Sequence, residues 1–420
     1  MLDTLKKAWN IPDLRKKIIY TFVMLIIFRI GSNLPIPGVD SFKLKSMVET
    51  DAGLLGFFNL MSGGSFKRFS VFALGIAPYI TSSIVMQLLQ IAIPALEELA
   101  KEGESGRKTI ARYTRYLTVV LALLQGFAIS NSIFANAFIV NDFMSKFVAV
   151  IAMAAGTAFL MFLGEKINEN GIGNGISLFI FAGIISSLPT GLYNIFLRIK
   201  AGEVDVITLL FFLIGAMLLI AAVIYIQEGQ RKIPVQYSKR VIGRKMYGGQ
   251  SSHIPLKVNQ TGVIPVIFAT SILAIPQTIA PFFPNSKFWM GALSVFDAKT
   301  IFYNVLNALL IIFFTYFYTS VTFNPDEIAD NMKKNGGFIP GIRPGKPTAN
   351  FISRSLNRLT IVGAIFLAII ASIPNVLLAY SSLGIRFGGT SLLIVVGVAL
   401  ETMKQIEAQL VMRHYKGFLR

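Results

Sequence analysis

Two isoleucine pairs, Ile76 with Ile80 and Ile176 with Ile180, repeat one spacing near the start of two long apolar runs. Residues four apart share a helix face, so each pair sets two branched aliphatic side chains together. Around the first pair stand Pro78, Tyr79, Thr81, Ser82, Ser83 and Gln87, polar or helix-disturbing groups at membrane depth. Lipid cannot satisfy such groups; neighbouring helices or a water-filled cavity can. The stretch therefore reads either as a pore-lining helix with an apolar constriction or as ordinary helix packing. Other chemistry lacks its residues. Cysteine is absent and histidine occurs only at His253 and His414, both in charged surroundings, so disulfides and thiolate nucleophiles are excluded and a two-histidine metal site has no basis. No Asp, Glu or His falls in the middle of an apolar run; Glu165, Glu228 and Glu401 sit toward run ends. That counts against a secondary transporter, whose coupling ions use such groups or broken-helix carbonyls. An intramembrane enzyme also lacks a credible dyad, with no paired carboxylates, no Ser with His and no HExxH.

The elements that would position these isoleucines follow from composition. The 420 residues are 54% hydrophobic and 14% charged, the balance of a polytopic all-α membrane protein. Ten apolar runs read as spans: roughly 17–34, 70–94, 116–134, 147–164, 176–199, 204–226, 261–280, 301–321, 359–379 and 391–409. The first follows MLDTLKKAWNIPDLRKKI and lacks a small-x-small cleavage pattern, so it reads as a retained span rather than a signal peptide. Leu5, Trp9 and Leu14 among its lysines suggest a short interfacial helix. Arg29 lies inside the first span near its end, where a cation anchors or snorkels. The fourth run is rich in small residues (Ala152, Ala154, Ala155, Gly156, Ala158), suited to close helix packing.

Charge orients the chain. With ten spans, 28 of the 39 Lys and Arg fall on the side carrying both termini, 10 fall opposite, and Arg29 is the remainder. The positive-inside rule places both termini in the cytoplasm. The loop at 227–259 holds Arg231, Lys232, Lys239, Arg240, Arg244, Lys245 and Lys257 against one acid, Glu228, with Tyr237 and Tyr247 interleaved. Such a patch favours phosphate-rich or acidic partners, with a strong salt dependence.

Between the first two spans, a short apolar piece from Leu54 to Met61 is broken by Ser62-Gly63-Gly64. A dozen residues cannot cross a bilayer of about 30 Å as a helix, so the piece lies at the surface or re-enters a protein-lined cavity. Two nucleotide-like patterns fail. No strand precedes the glycines of EKINENGIGNG (165–175), and a Walker A loop at Gly345-Lys346 would need Gly at Pro340 and Ser or Thr at Pro347.

Long strings in the expected order make the chain resemble the SecY family, the channel subunit of the bacterial-type Sec translocase. They include RIGSNLPIPGVD (29–40), FNLMSGG (58–64), FALGIAPYI (72–80), KEGESGR (101–107), GIGNGIS (171–177), QSSHIPLKVN (250–259), GGFIPGIRPGKPT (336–348) and GGTSLLIVVGVAL (388–400). The resemblance implies two pseudo-symmetric halves, 1–200 and 201–420, around a central pore, with a re-entrant plug at about 55–66 that includes Phe57, Phe58, Asn59, Met61 and Ser62. It implies a pore ring of Ile76, Ile80, Ile176, Ile180, Ile267 and Ile394. A narrow apolar constriction of this kind dewets against ions yet parts around a polypeptide. It implies a lateral gate between spans two and three and spans seven and eight, with Thr81, Gln87, Gln125 and Ser271 along the seam. The loops at 227–259 and 324–358 would dock the ribosome or the motor ATPase SecA through Arg231, Lys232, Arg240, Arg244, Lys245, Arg343 and Lys346. Some relatives carry Arg-Arg where Arg244-Lys245 stands, so a bidentate contact by its second member is lost here. SecE and SecG are the implied small membrane subunits, signal peptides and unfolded preproteins the clients, lipids the surroundings, the cytoplasmic (inner) membrane the location. No cofactor is implied.

Overall fold

The computed structural model describes residues 2–40, 59, 62–131, 134, 137–140, 142–202, 206–237, 240–242, 245–247, 251–279, 286, 288–289, 291, 295–296, 300–380 and 389–417. Helices dominate it. In the first half of the chain α1 (Leu2–Trp9) and α2 (Pro12–Gly31) are followed by α3 (Ala77–Ala92), α4 (Pro94–Lys101), α5 (Glu104–Asn131), α6 (Phe143–Asn170) and α7 (Gly175–Lys200). The second half has α8 (Val206–Glu228), α9 (Ile264–Ile279), α10 (Ile301–Thr322), α11 (Pro325–Lys334), α12 (Lys346–Tyr380) and α13 (Gly389–Gly417). A helix occupies each of the ten apolar runs.

By length and apolarity alone, four stretches among the described residues can cross a membrane: 143–170, 175–200, 301–334 and 346–373. A fifth would be α3 with α4, which bend by 101° at Ile93. Two further stretches, 213–228 and 264–276, are apolar but shorter; charge dilutes α2, which opens with Asp13, Arg15, Lys16 and Lys17 and closes with Arg29, and α5, which spends its first three turns on a charged surface extension.

Local chemistry explains the ends. Pro12, Pro94 and Pro325 stand where a helix's first amide has no intrahelical partner. Asn174 caps α7, its Oδ1 accepting from the Ile176 and Ser177 amides at 3.1 and 3.3 Å; Asn324 does the same for α11. Two expectations need correction. The second span does not start as helix at Ser70: residues 62–76 form successive turns and α3 begins at Ala77, because Gly75 takes a positive φ of 56° and Pro78 lacks a donor. Ile76 is consequently the residue capping α3 rather than a member of it, although the Ile80 amide still donates to its carbonyl at 3.0 Å. The basic loop at 227–259 contains strands. β1 (Gln230–Tyr237) pairs antiparallel with β4 (Ser251–Lys257) in the register Ile233 opposite Ile254, and a tip hairpin joins β2 (Arg240–Ile242) to β3 (Lys245–Tyr247). The short β5 (Gly337–Phe338), from the second large loop, adds to the free edge of β1.

The core lies between the helices rather than in a sheet. One cluster runs from Phe28 and Phe72 through Phe179 to Phe268 and Phe314, and it takes side chains from α2, α3, α6, α7, α8, α9, α10, α12 and α13. A second, phenylalanine-rich cluster closes the opposite end of α5 and α6 around Phe66, Phe69, Phe134 and Phe138. A third, around Ile233, Val235, Leu256, Met332, Ile339 and Ile352, holds the β-hairpin against α11 and α12.

Candidate functional site

The helix packing brings the candidate isoleucines to one place. Ile76, Ile80, Ile180, Ile267 and Ile394 are all at most 6% exposed and belong to one cluster, and the half-buried Ile176 packs against it. They arrive on four elements from distant parts of the chain: the start of α3, the first turns of α7, the first turn of α9 and the first turns of α13. α9 packs against α3 and α5, and α13 packs against α7, so the isoleucines sit where helices before residue 200 meet helices after it. The six side chains that meet there are all branched aliphatic. An ion in such a constriction would lose its hydration with nothing offered in return.

The polar groups near this junction are largely self-satisfied. Thr81 Oγ1 and Ser82 Oγ donate to carbonyls one turn back, Ala77 and Pro78, at 3.1 and 2.8 Å. Gln87 Nε2 reaches Ser83 Oγ at 3.5 Å. Thr81, Gln87, Gln125 and Ser271 are half-buried on α3, α5 and α9, three helices that are mutual neighbours. Among the described residues no cluster of three or more His, Cys, Asp or Glu could hold a metal ion.

Of the re-entrant stretch, Phe57, Phe58 and Met61 lie outside the described residues. Asn59 and Ser62 belong to the turn that ends it: Asn59 Oδ1 accepts from the Lys67 amide at 2.9 Å, Asn59 O from the Gly64 amide at 2.7 Å, and Ser62 Oγ from the Phe66 amide at 3.1 Å. Ser62 is 2% exposed. The segment's base is closed by backbone pairing, with Ile36 N donating to Phe69 O and Val71 N to Leu34 O, both at 3.0 Å. Phe69 takes a positive φ of 44° there, unusual for a bulky residue, and its buried ring packs edge-on to Phe134 at 4.5 Å. Below it Gly156 of α6 admits the Val71 backbone, and Thr157 Oγ1 donates to Gly75 O at 3.3 Å.

Arg29, expected to anchor or snorkel, donates from Nη1 to Gly63 O at 2.6 Å, across 34 residues of chain. Thr21 and Gln405, not singled out from the sequence, hold the turn between α6 and α7: Thr21 Oγ1 accepts from Ile172 N at 3.0 Å and Gln405 Oε1 from Gly173 N at 2.8 Å. Neither has a sequence signal, since both accept from backbone of another element. The glycines of that turn serve packing. A Cβ on Gly175 would fall 2.2 Å from Gly164 O, and Gly173 has φ +90°.

At the other large surface feature, Arg231 and Lys232 are exposed on β1, and Arg343 and Lys346 are exposed beyond β5. The Arg343 turn is shaped by positive φ at Gly341 and Gly345 and tied by Thr348 Oγ1 donating to Arg343 O at 2.9 Å. Arg240 and Lys245 stand on the tip hairpin, and Arg244 lies outside the described residues. Because β5 pairs with β1, both basic segments belong to one cap.

Comparison with known proteins fits this picture. The SecY family model matches residues 70–403. The protein translocase subunit SecY of Halalkalibacterium halodurans is 48% identical over 434 aligned residues, with 100% of both chains covered. Among solved structures, one described as a protein conducting channel superposes with TM-score 0.69 at 20% identity, covering 94% of this chain and 93% of that one. Sec61 in the canine ribosome-channel complex from the endoplasmic reticulum gives TM-score 0.64 at 19% identity, covering 94% and 93%. At such identities the likeness shows a shared fold.

Proposed function

The chain belongs to the SecY family, and from that premise we propose that it is the channel through which unfolded secretory preproteins cross the cytoplasmic membrane and from which apolar segments leave sideways into lipid. It is a multi-pass membrane protein and not itself an enzyme. The observation that carries the reading is the junction of Ile80, Ile180, Ile267 and Ile394, four buried aliphatic side chains from four helices with no charge among them. Six isoleucines, with Ile76 and Ile176, form the ring. Flexible aliphatic side chains part around a polypeptide and close again, and an apolar constriction excludes ions when closed.

Two halves, 1–200 and 201–420, move as units in this reading. What supports it is repetition of the packing. α2 meets α6 and α7 as α8 meets α12 and α13, α3 meets α5 as α9 meets α10, and α5 meets α6 as α10 meets α12. Lateral release opens α3 and α5 from α9 and α10, along Thr81, Gln87, Gln125 and Ser271. The stretch 55–66 is the plug that seals the outer side. SecE and SecG are its small membrane subunits. SecA and the ribosome dock on the basic cap through Arg231, Lys232, Arg240, Arg244, Lys245, Arg343 and Lys346; ribosome docking is supported by the Sec61 relative of the same fold, which stands in a ribosome complex.

The native absence of cysteine makes the test direct. Single cysteines replace Ile80, Ile180 or Ile394, and a preprotein arrested in transit carries one cysteine midway. Oxidation is expected to crosslink all three positions and to spare a lipid-facing control. No crosslink at any of them, in a folded complex, overturns the channel reading.

A further inference from the structure

We propose that Arg29 is the latch of the resting channel: its guanidinium holds the carbonyl of Gly63 and thereby fixes the outer end of the plug against the body. The inference rests on the plug reading of residues 55–66.

Three observations carry it. The Arg29 Nη1 to Gly63 O bond, at 2.6 Å, is short for a charge-assisted contact, and among the described residues it is the Arg29 side chain's single hydrogen-bond partner. A cation one turn from the end of a membrane helix thus spends its donor on the backbone of the plug's turn. The helix end itself is finished without it, by Ser32 Oγ donating to Phe28 O at 2.8 Å and Asn33 Nδ2 donating to Arg29 O at 2.7 Å.

The carbonyl it holds belongs to a turn that only glycine makes in this place. Gly63 and Gly64 have φ of +67° and +86°. A Cβ on Gly63 would stand 3.1 Å from the Gly183 Cα of α7 and 3.4 Å from the Phe28 ring. The turn is therefore wedged between α2 and α7, with Arg29 gripping the carbonyl of Gly63. Release of that carbonyl frees the wedge.

The points of attachment are also unequal. Downstream, the base is secured by the two backbone bonds between residues 34–36 and 69–71 and by Phe69 locked among Phe66, Phe134 and Phe138. Upstream of Gly63, the hydrogen bonds of the described residues Asn59 and Ser62 stay within the turn, with Gly64, Ser65, Phe66 and Lys67, and Ser62 packs beside Gly75. An arriving polypeptide that displaces the turn from beside Phe28 and Gly183 lengthens the Arg29 contact before it disturbs the base. The plug then leaves while its stem stays bound, so the latch sets how readily the resting channel opens without setting the path of the chain through it.

The test uses the complete chain reconstituted with its small subunits in vesicles, with Ser62→Cys as reporter and Ala364→Cys, also fully buried but in α12, as control. A membrane-impermeant maleimide is added outside. Removing the charge and shortening the donor arm with Arg29→Gln is expected to speed labelling at position 62 by about tenfold or more, the scale on which losing a charge-assisted hydrogen bond shifts an opening equilibrium, and to raise resting ion conductance. Arg29→Lys, which keeps charge and a donor, is expected to restore much of the protection. Equal acceleration at position 364 means general loosening and overturns the latch. A chain shortened by residues 55–61 separates the two readings. If shortening leaves conductance unchanged, the plug reading fails and takes the latch with it. If shortening raises conductance while Arg29→Gln changes neither readout, the latch alone is overturned.

Discussion

Gly156 shows at the smallest scale how the fold is held. A Cβ there would lie 2.1 Å from the Val71 carbonyl oxygen, a backbone atom that cannot swing aside, and the neighbouring Thr157 hydroxyl reaches Gly75 O at 3.3 Å. α6 is thus a floor against which the turns before α3 are pressed, which in turn sets where Ile76 and Ile80 point. Gly156→Ala is expected to destabilise the protein by about 1–3 kcal/mol, the usual cost of overpacking, measured as a lowered unfolding midpoint in detergent; an unchanged midpoint would sink the close-approach account. The small-residue character of this helix was legible from Ala152 through Ala158. Its partner was not, because the segment it receives is irregular and has no periodicity to read. Arg29 failed to declare itself for a related reason: it serves a carbonyl, and every residue has one.

Among the elements, the basic cap teaches the most. Its charges were plain in the sequence, its strands were not. Ile233 and Val235 alternate with exposed neighbours, but two such positions flanked by cations and interrupted by Pro234 give a weak period-2 signal, and Pro255 on the facing strand weakens it further. What makes the hairpin stable lies outside it, in Met332, Ile339 and Ile352 of the second loop. Charge and scaffold can accordingly be separated by mutation. Arg343→Glu, an exposed change on a turn fixed by Thr348, is expected to block SecA-driven translocation in proteoliposomes while the protein stays folded and inserted. Ile233→Asp buries a carboxylate in the third cluster and is expected to expose residues 227–259 to protease as well as to block translocation. Normal translocation by the Arg343 variant, or protease resistance of the Ile233 variant, would break the link between cap structure and docking.

At the scale of the whole molecule, the expected orientation rests on a count that no single helix contains. Ten apolar runs were readable because each is long, and helices occupy all of them; their exact ends were not, since charged surface turns continue the same helices, as Glu104–Arg115 continues into α5. With ten spans, 28 Lys and Arg would stand on the side of the termini against 10 opposite, and the expectation of cytoplasmic termini rests on that excess. The packing is consistent with that division. α1, with Lys6 and Lys7, lies against α13, Thr4 Oγ1 donating to Glu407 Oε1 at 3.4 Å, so both ends of the chain gather on one face. At the other face, residues 38–40 pair with 137–139 through Ile139 N to Gly38 O at 3.1 Å and Asp40 N to Ala137 O at 2.9 Å. Ile139 is 69% exposed and Lys7 is exposed, which makes the two positions usable as opposite reporters. In intact cells stripped of outer barriers, Ile139→Cys is expected to react with an impermeant maleimide at once, and Lys7→Cys only after the membrane is opened. The reverse order would invert the chain in the membrane, put the basic cap outside, and remove any route by which a cytoplasmic ribosome or motor could reach Arg343.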